Sequence, residues 1–482
     1  MPPRGILDEL KEIVGSKNVL SDTKALRSYT DGSLDENRGS TSRWRVGTSY
    51  GARFVPDLAV MPSSTEEVAA VVQVCNRRGV PLIPLSGGSN LVGATVPIKG
   101  GVVVDMRRMN RVLKIDESNL YAICQPAVIL SDLQTELGLH GLCHGTNPGS
   151  ADWATVGGAV SIGAQTMTGF RYGTIVDNLL ELEVVLPYGD IVKTGPWYGS
   201  GYNLRGIFPR SEGTLGIITQ VTMRVHRLPP YRVSAGFMFD SFEAAVRTQL
   251  ELSSLELHPL STILSSDTFG REHEELARED PKRQSRGWLI LELEGEKTEV
   301  SRTSRRIDRV AGAREGRKIS RRSMDSIGDF LLIFTTGARK SALPALHTAK
   351  VRVSRHIWVP PDKIVEVYRA FEDLVEKYGM DDPTALNTPT RLIVGCLVDP
   401  KSERDITALA GFLEDLRMVA RDVGGTLFGA HGAGLVNKSE IEEDYGEGAI
   451  ELMKRIKLAL DPRLIMNPGK VLDLDNSETP PE

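Results

Sequence analysis

Three stretches of this 482-residue chain are built from residues too small to fill space by themselves. From Pro148 to Gly173 it reads PGSADWATVGGAVSIGAQTMTGFRYG, a run crowded with Gly, Ala and Ser. Earlier, Pro84-Leu85-Ser86-Gly87-Gly88-Ser89-Asn90 follows an apolar run, and later the small residues of 211–219 lead into a strand pattern in EGTLGIITQVTMRV, Glu212 to Val225. Small residues let the backbone approach another group closely, at a cost in chain entropy that packing alone does not repay. A strand entering Ser-Gly-Gly-Ser-Asn presents backbone N–H groups and short polar side chains on one concave turn, which suits a phosphate or pyrophosphate. It matches neither GxGxxG nor GxxxxGK[ST], and two glycines after a strand are by themselves only a tight turn. One phosphate needs one such turn. Three in one region point to an extended ligand of dinucleotide length, such as FAD.

The surrounding pattern alternates strands and helices. Thr65–Arg78 (TEEVAAVVQVCNRR) has apolar residues at helical spacing, with Ser63, Ser64 or Thr65 as its cap and Gly79 as its stop. VPLIPL, GGVVVDM and YAICQPAV read as strands, Ser131 to Leu137 as a helix, and LLELEVVLPYGDIVKTG as two strands joined at Tyr188-Gly189. This part reads as an α/β region. After Leu228-Pro229-Pro230 the composition shifts toward longer, charged helical segments, including Asp362 to Tyr378 and Glu403 to Asp422. A last helix, Gly446 to Asp461, runs into DPRLIMNPGK, and the tail NSETPPE is expected to be disordered.

Bulk properties exclude several classes. The formal net charge is −5, which offers no basic surface for nucleic acid. The Arg-rich run from Arg302 to Arg322 is interleaved with acids and reads as a solvated helix face. No CxxC pair joins Cys75, Cys124, Cys143 and Cys396, which are expected to be free core thiols. The N-terminal MPPRGILDELKEIVG lacks the apolar core of a secretory signal, and no apolar run of membrane-spanning length occurs. A cytoplasmic location is the expectation.

The segments PLSGGSNLVG, PGSADWATVGGAV, RYGTIVDNLLELEVVLPYGDIVKTG, FPRSEGTLGIIT, HGAGL and MKRIKLALDPRLIMNPGKVL occur in order from about residue 5 to 472. Together they resemble the FAD-linked oxidases of the vanillyl-alcohol oxidase superfamily, which carry a PCMH-type FAD domain. Within that superfamily the chain looks most like the D-lactate dehydrogenase/glycolate oxidase large-subunit branch. The resemblance implies an α+β fold: a two-subdomain FAD-binding domain at 1–230, an α+β cap (substrate) domain at 231–425, and a segment at 426–482 that returns to the flavin. It implies that Pro84 and Ser86, Gly87, Gly88, Ser89 and Asn90 hold the FAD pyrophosphate. Pro148, Gly149, Ser150, Thr155, Gly157, Gly158 and Ser161 would line the path toward the flavin. Glu212, Gly213, Gly216 and Ile217 would meet the adenine-ribose end through backbone groups, and Asn467 would close over the cofactor.

Such an enzyme oxidises a hydroxy acid or related alcohol by hydride transfer from the substrate C–H to flavin N5, and a base must take the hydroxyl proton. Histidine suits that task near neutrality. His431, in GAHGAG, matches the family histidine, and His356, before WVPP, is the second candidate. Arg352, Arg355 and Arg391 are candidate anchors for a carboxylate, with surface ion pairing as the competing reading for each. Two departures stand out. The family's HxGDGNLH-like segment is replaced by TPTRLIVGCLVDP, and Ala430 occupies the glutamate position, so no catalytic metal is expected. Ser89 stands where covalently flavinylated relatives have His, so non-covalent FAD is expected. A phenolic or benzylic alcohol oxidase, and a non-catalytic flavin subunit of an electron-transfer complex, are the alternative readings. Either oxygen or a redox partner would reoxidise the flavin, and a homodimer stays open.

Overall fold

Ser64 opens the first long helix of the protein, Thr65–Arg78, by accepting the Glu67 amide at 3.2 Å, while the Glu67 carboxylate accepts the Ser63 amide at 2.7 Å. Gly79 ends the helix with φ +62°, a left-handed conformation that costs glycine little. The computed structural model describes residues 5–29, 54–90, 92–166, 168–196, 198–255, 257, 259, 261–265, 278–280, 285–324, 351–388, 391–399, 401–427, 431–435 and 437–474. The tail NSETPPE, Ala430, and the side chains of Arg352 and Arg391 lie outside that description.

Four short strands, β1 (Val19–Leu20), β2 (Leu58–Val60), β3 (Leu82–Leu85) and β4 (Val102–Asp105), make a sheet in the order β1-β2-β4-β3. β4 runs parallel to both β2 and β3, with helix Thr65–Arg78 as the crossover between β2 and β3. That helix and Ile6–Val14 bury Val68, Val72, Ile6 and Leu10 against the sheet. A second sheet comprises β5 (Val112–Asp116), β6 (Tyr121–Cys124), β8 (Leu179–Val185), β9 (Ile191–Lys193) and β10 (Ile217–Arg224), in the order β5-β6-β10-β8-β9. Every pairing in it is antiparallel. The α/β expectation for this region therefore holds only for the first sheet. The strand-and-helix alternation looked like repeated parallel crossovers, whereas β6, β8 and β10 pair through long returns. The predicted helix at Ser131 to Leu137 extends over Leu130–Leu139 and packs on this second sheet. A small ribbon of β7 (Leu142–Cys143) and β11 (His226–Arg227) follows it.

The third sheet holds β12 (Tyr231–Phe239), β13 (Ser261–Ser265), β14 (Gly287–Gly295), β15 (Arg317–Lys318), β16 (Val351–Ile357), β17 (Asp381–Thr388) and β18 (Arg391–Val398). Its order is β15-β12-β14-β13-β17-β18-β16, antiparallel throughout. Helices Phe242–Ser254, Lys297–Ala313, Ile364–Tyr378 and Glu403–Asp422 cover one face. Residues alternate between faces along a strand. Leu289, Leu291 and Leu293 of β14 thus enter the helix-covered core, and Trp288, Ile290, Glu292 and Glu294 point the other way and are also buried.

That second face meets the segment carrying helix Gly169–Tyr172. Glu294 is the node: its carboxylate accepts from the Tyr172 hydroxyl, from Arg171 at 3.2 Å and from Arg232 at 2.8 Å. All four free cysteines are buried. Among the described residues, no helix is long and apolar enough to cross a membrane.

Finally the chain doubles back. After helix Glu447–Leu460, Leu82 donates its amide to Ile465 and accepts that of Asn467, each at 2.7 Å, so the terminal segment lies beside β3.

Candidate functional site

β3 ends at Leu85 and delivers the chain into the Ser86–Asn90 turn. A Cβ on Gly87 would sit 2.3 Å from the Trp153 carbonyl oxygen, so no other residue fits there without moving backbone. The Ser86 hydroxyl lies 2.7 Å from the Thr155 hydroxyl and 3.2 Å from the Pro126 carbonyl. Gly157 packs equally tightly: its Cβ would come within 2.5 Å of Pro126. Asn90 closes the turn by accepting the amides of Val92 at 3.0 Å and Ala94 at 2.8 Å. On the far side Glu212 and Gly213 take positive φ, at +52° and +73°, and Gly213 packs against Pro84.

These segments line one open-sided cavity, with about 720 Å³ of space counted out to its open mouth. Pro84, Ser86, Gly87, Gly88, Ser89, Asn90, Thr155, Gly157, Gly158, Ser161, Glu212, Gly213, Gly216 and Ile217 line it. Pro148, Gly149 and Ser150 do not. They form the turn before Thr155, in which Ser150 accepts the amides of Trp153 and Ala154. Leu85, Ala94, Thr95, Met106, Pro126, Ile162 and Ile218 complete the lining and were not anticipated, since their part depends on which strands become neighbours. Among the described residues, the buried Thr95 hydroxyl has no hydrogen-bond partner. A concave, glycine-floored cavity spanning three segments, with a hydroxyl left to be satisfied, fits an elongated polar ligand such as FAD.

Asn467 does not line this cavity but braces it. Its side-chain amide donates to the carbonyls of Glu212 at 2.7 Å and Ala94 at 2.8 Å. The Glu212 carboxylate turns toward the C-terminal segment, accepting the amides of Ala433 at 2.5 Å and Gly434 at 2.9 Å. Burial pushes this carboxyl up to about 7, against the opposing pull of those two amides and of Lys470. Burial likewise brings Lys470 down to about 7, with its ammonium donating to the Val96 carbonyl at 2.7 Å.

The two histidines singled out in the sequence meet in space. The ring centroids of His356 and His431 are 4.3 Å apart and the planes are inclined by 54°. His356 comes from β16, where Val353 and Ile357 enter the helix-covered core. His431 comes from the turn after that domain, and its carbonyl accepts from Asn90 of the cavity lining at 3.4 Å. Arg355, one residue from His356, alternates to the opposite face, where it is felt electrostatically by Glu440. Among the described residues, no group of three or more His, Cys, Asp or Glu is arranged to hold a metal ion.

Two family models match the chain: an FAD binding domain over residues 56–195, and the C-terminal domain of FAD linked oxidases over residues 228–471. The chain is 29% identical to "Glycolate oxidase subunit GlcD" of Bacillus subtilis (strain 168) over 449 residues, spanning 91% of this chain and 95% of that one. It is 30% identical to "Probable D-lactate dehydrogenase, mitochondrial" of Danio rerio over 442 residues, covering 88% and 86%. Among solved structures, 4-ethylphenol oxidase from Gulosibacter chungangensis superposes with a TM-score of 0.78 at 20% identity, over 99% of this chain and 100% of that one, a likeness of fold.

Proposed function

The chain belongs to the FAD-linked oxidases, and from that premise we propose that it oxidises a hydroxy acid, with His431 and His356 flanking the reacting carbon. FAD is the cofactor, and bound in the cavity it supplies the acceptor for the hydride leaving the substrate C–H. The observation that carries the reading is the ring contact of His356 and His431, which pairs a cap-sheet residue with one bonded to the cavity lining.

The chain's own residues divide the work. Ser86 to Asn90 would hold the phosphates by backbone N–H groups and short side chains, and the small residues Gly157, Gly158 and Ser161 of helix Val156–Ile162 would form the wall the ring lies against. His431 takes the hydroxyl proton as the C–H bond breaks, and His356 orients it. Like charges at this separation repel, so His431 accepts that proton best while His356 is neutral. Residues 1–230 then hold the cofactor, 231–425 cap the substrate, and 426–482 close the site. Ser89 offers no imidazole for a covalent link at this turn, which leaves a His or Tyr of 231–425 as the other route, and non-covalent FAD is the favoured reading.

The hydroxy-acid assignment follows the relatives' names, glycolate oxidase and D-lactate dehydrogenase. Substrate deuterated at the hydroxyl-bearing carbon tests it. Anaerobic flavin reduction slowed several-fold by the label supports C–H cleavage in this site. Equal rates with a hydroxy acid that bleaches the flavin would place the slow step elsewhere and remove the support.

A further inference from the structure

Glu212 belongs to a stretch that lines the cavity, and its carboxylate reaches to the C-terminal segment. Both carboxylate oxygens are taken by one short turn: Oε1 accepts the amide of Ala433 and Oε2 that of Gly434. The turn fits the carboxylate closely. Gly432 has φ +85°, and a Cβ there would lie 2.5 Å from Glu212 Oε1. Gly434 is pressed against Val92, whose carbonyl would be 2.1 Å from an added Cβ and also accepts the amide of Leu435 at 2.8 Å. His431 is the first residue of this turn. Its own carbonyl is held by Asn90, and the Gly432 carbonyl by Asn437 at 3.0 Å. The backbone that follows the histidine is therefore tied to two residues of the cavity lining, Asn90 and Glu212, and Glu212 supplies a carboxylate. In its ionised form the carboxylate makes charge-assisted bonds to these buried amides, roughly twice as strong as neutral ones.

We propose that Glu212 is a positioning residue for His431: by gripping the amides of Ala433 and Gly434 it sets the height of the His431 ring over the cofactor cavity and keeps it in contact with His356. This deepens the reading of His431 given above and rests on it. Glu212 touches no reacting atom. Its backbone serves the cavity and its side chain serves the catalytic turn, so the residue ties the two together.

The geometry also says which change separates this role from cofactor binding. Glu212→Gln preserves shape, but its amide group offers one acceptor oxygen and one NH2, so whichever way it turns, a backbone N–H faces another donor. A misplacement of about 1 Å at a reacting group costs on the order of a hundred-fold in rate. The experiment is anaerobic stopped-flow reduction of the purified holoprotein by a reducing hydroxy acid, with wild type, Glu212→Gln and His431→Ala side by side. The expected result is that Glu212→Gln keeps its FAD and substrate affinity, while its limiting rate of flavin reduction falls by about ten- to a hundred-fold. Gly432→Ala, which pushes the turn off the carboxylate without altering it, should show the same split between rate and affinity, and decides the matter if Glu212→Gln does not fold. A wild-type limiting rate in both variants beside a crippled His431→Ala overturns this proposal alone. Loss of FAD from Glu212→Gln overturns it too, by assigning the side chain to the cofactor. An unimpaired His431→Ala removes the reading of His431 and this proposal with it.

Discussion

The hydroxyls of Ser86 and Thr155 lie 2.7 Å apart, joining the turn after β3 to the turn that opens helix Val156–Ile162. Two segments about seventy residues apart in sequence (from 86 to 155) thereby form one wall of the cavity proposed to hold FAD. Gly87 sits inside that junction. Gly87→Val would drive a branched side chain into the Trp153 carbonyl, which stands 2.3 Å from the site of a Cβ. The expected product is a protein that folds poorly or is isolated colourless and does not take up added FAD. A yellow holoprotein with ordinary thermal stability would show that the junction yields, and with it the assignment of this turn.

His431→Ala should retain FAD, because its ring is absent from the cavity lining, and should lose about two or more orders of magnitude in the rate of flavin reduction. His356→Ala should lose less, since it acts through the neighbouring ring. Rapid mixing with substrate under nitrogen measures both. Equal and small losses would mean that neither ring handles the proton.

His144 provides a pH-dependent term remote from the chemistry. It is buried, its Nε2 donates to the Leu130 carbonyl at 2.9 Å, and its Nδ1 accepts the Thr146 amide at 3.2 Å. Charging the ring needs a proton on Nδ1, which already faces an N–H. Burial accordingly depresses the folded-state value from 6.5 to about 4. A depressed value means that the stabilisation is complete above 6.5 and is lost as pH falls from 6.5 toward 4, amounting to roughly 3 kcal/mol at most. Melting curves across that window should fall more steeply for wild type than for His144→Gln. Parallel curves would contradict the assignment.

Glu294 joins the cap sheet to the cofactor-binding part through Tyr172, Arg171 and Arg232, and its own side chain is fully inaccessible. Burial and the Glu294 hydrogen bond together hold the Tyr172 hydroxyl well above its ordinary range, so it remains a donor. Glu294→Ala leaves two guanidinium groups without their shared acceptor. Removing one partner of a buried ion cluster costs about 3–5 kcal/mol, and the partial exposure of both arginines favours the lower end. Denaturant unfolding of the holoprotein checks this. A loss below about 1 kcal/mol would show that water replaces the carboxylate.

Local signals were legible in the sequence where local physics decides. Ser64, Glu67 and Gly79 mark the ends of one helix, and the predicted Glu403–Asp422 helix carries its buried residues at Leu409, Phe412, Leu416 and Ala420. The small-residue segments were legible because their glycines serve no purpose unless something approaches them. The third sheet was not: β17 reads DDPTALNT, with a proline and polar residues where a strand pattern calls for alternation, and long-range pairing overrides it. Nor does any spacing bring His356 and His431 into ring contact, or reveal that Glu212 offers its backbone to one purpose and its carboxylate to another. Those relations exist only once the terminal segment has returned to β3.

The most direct measurement is the visible spectrum of the purified protein during anaerobic addition of D-lactate, glycolate or D-2-hydroxyglutarate, with vanillyl alcohol alongside. The expected result is a flavin spectrum that one of the acids bleaches, with one oxo acid formed for each flavin reduced. A flavin left oxidised by every hydroxy acid and bleached by the aromatic alcohol alone would contradict it.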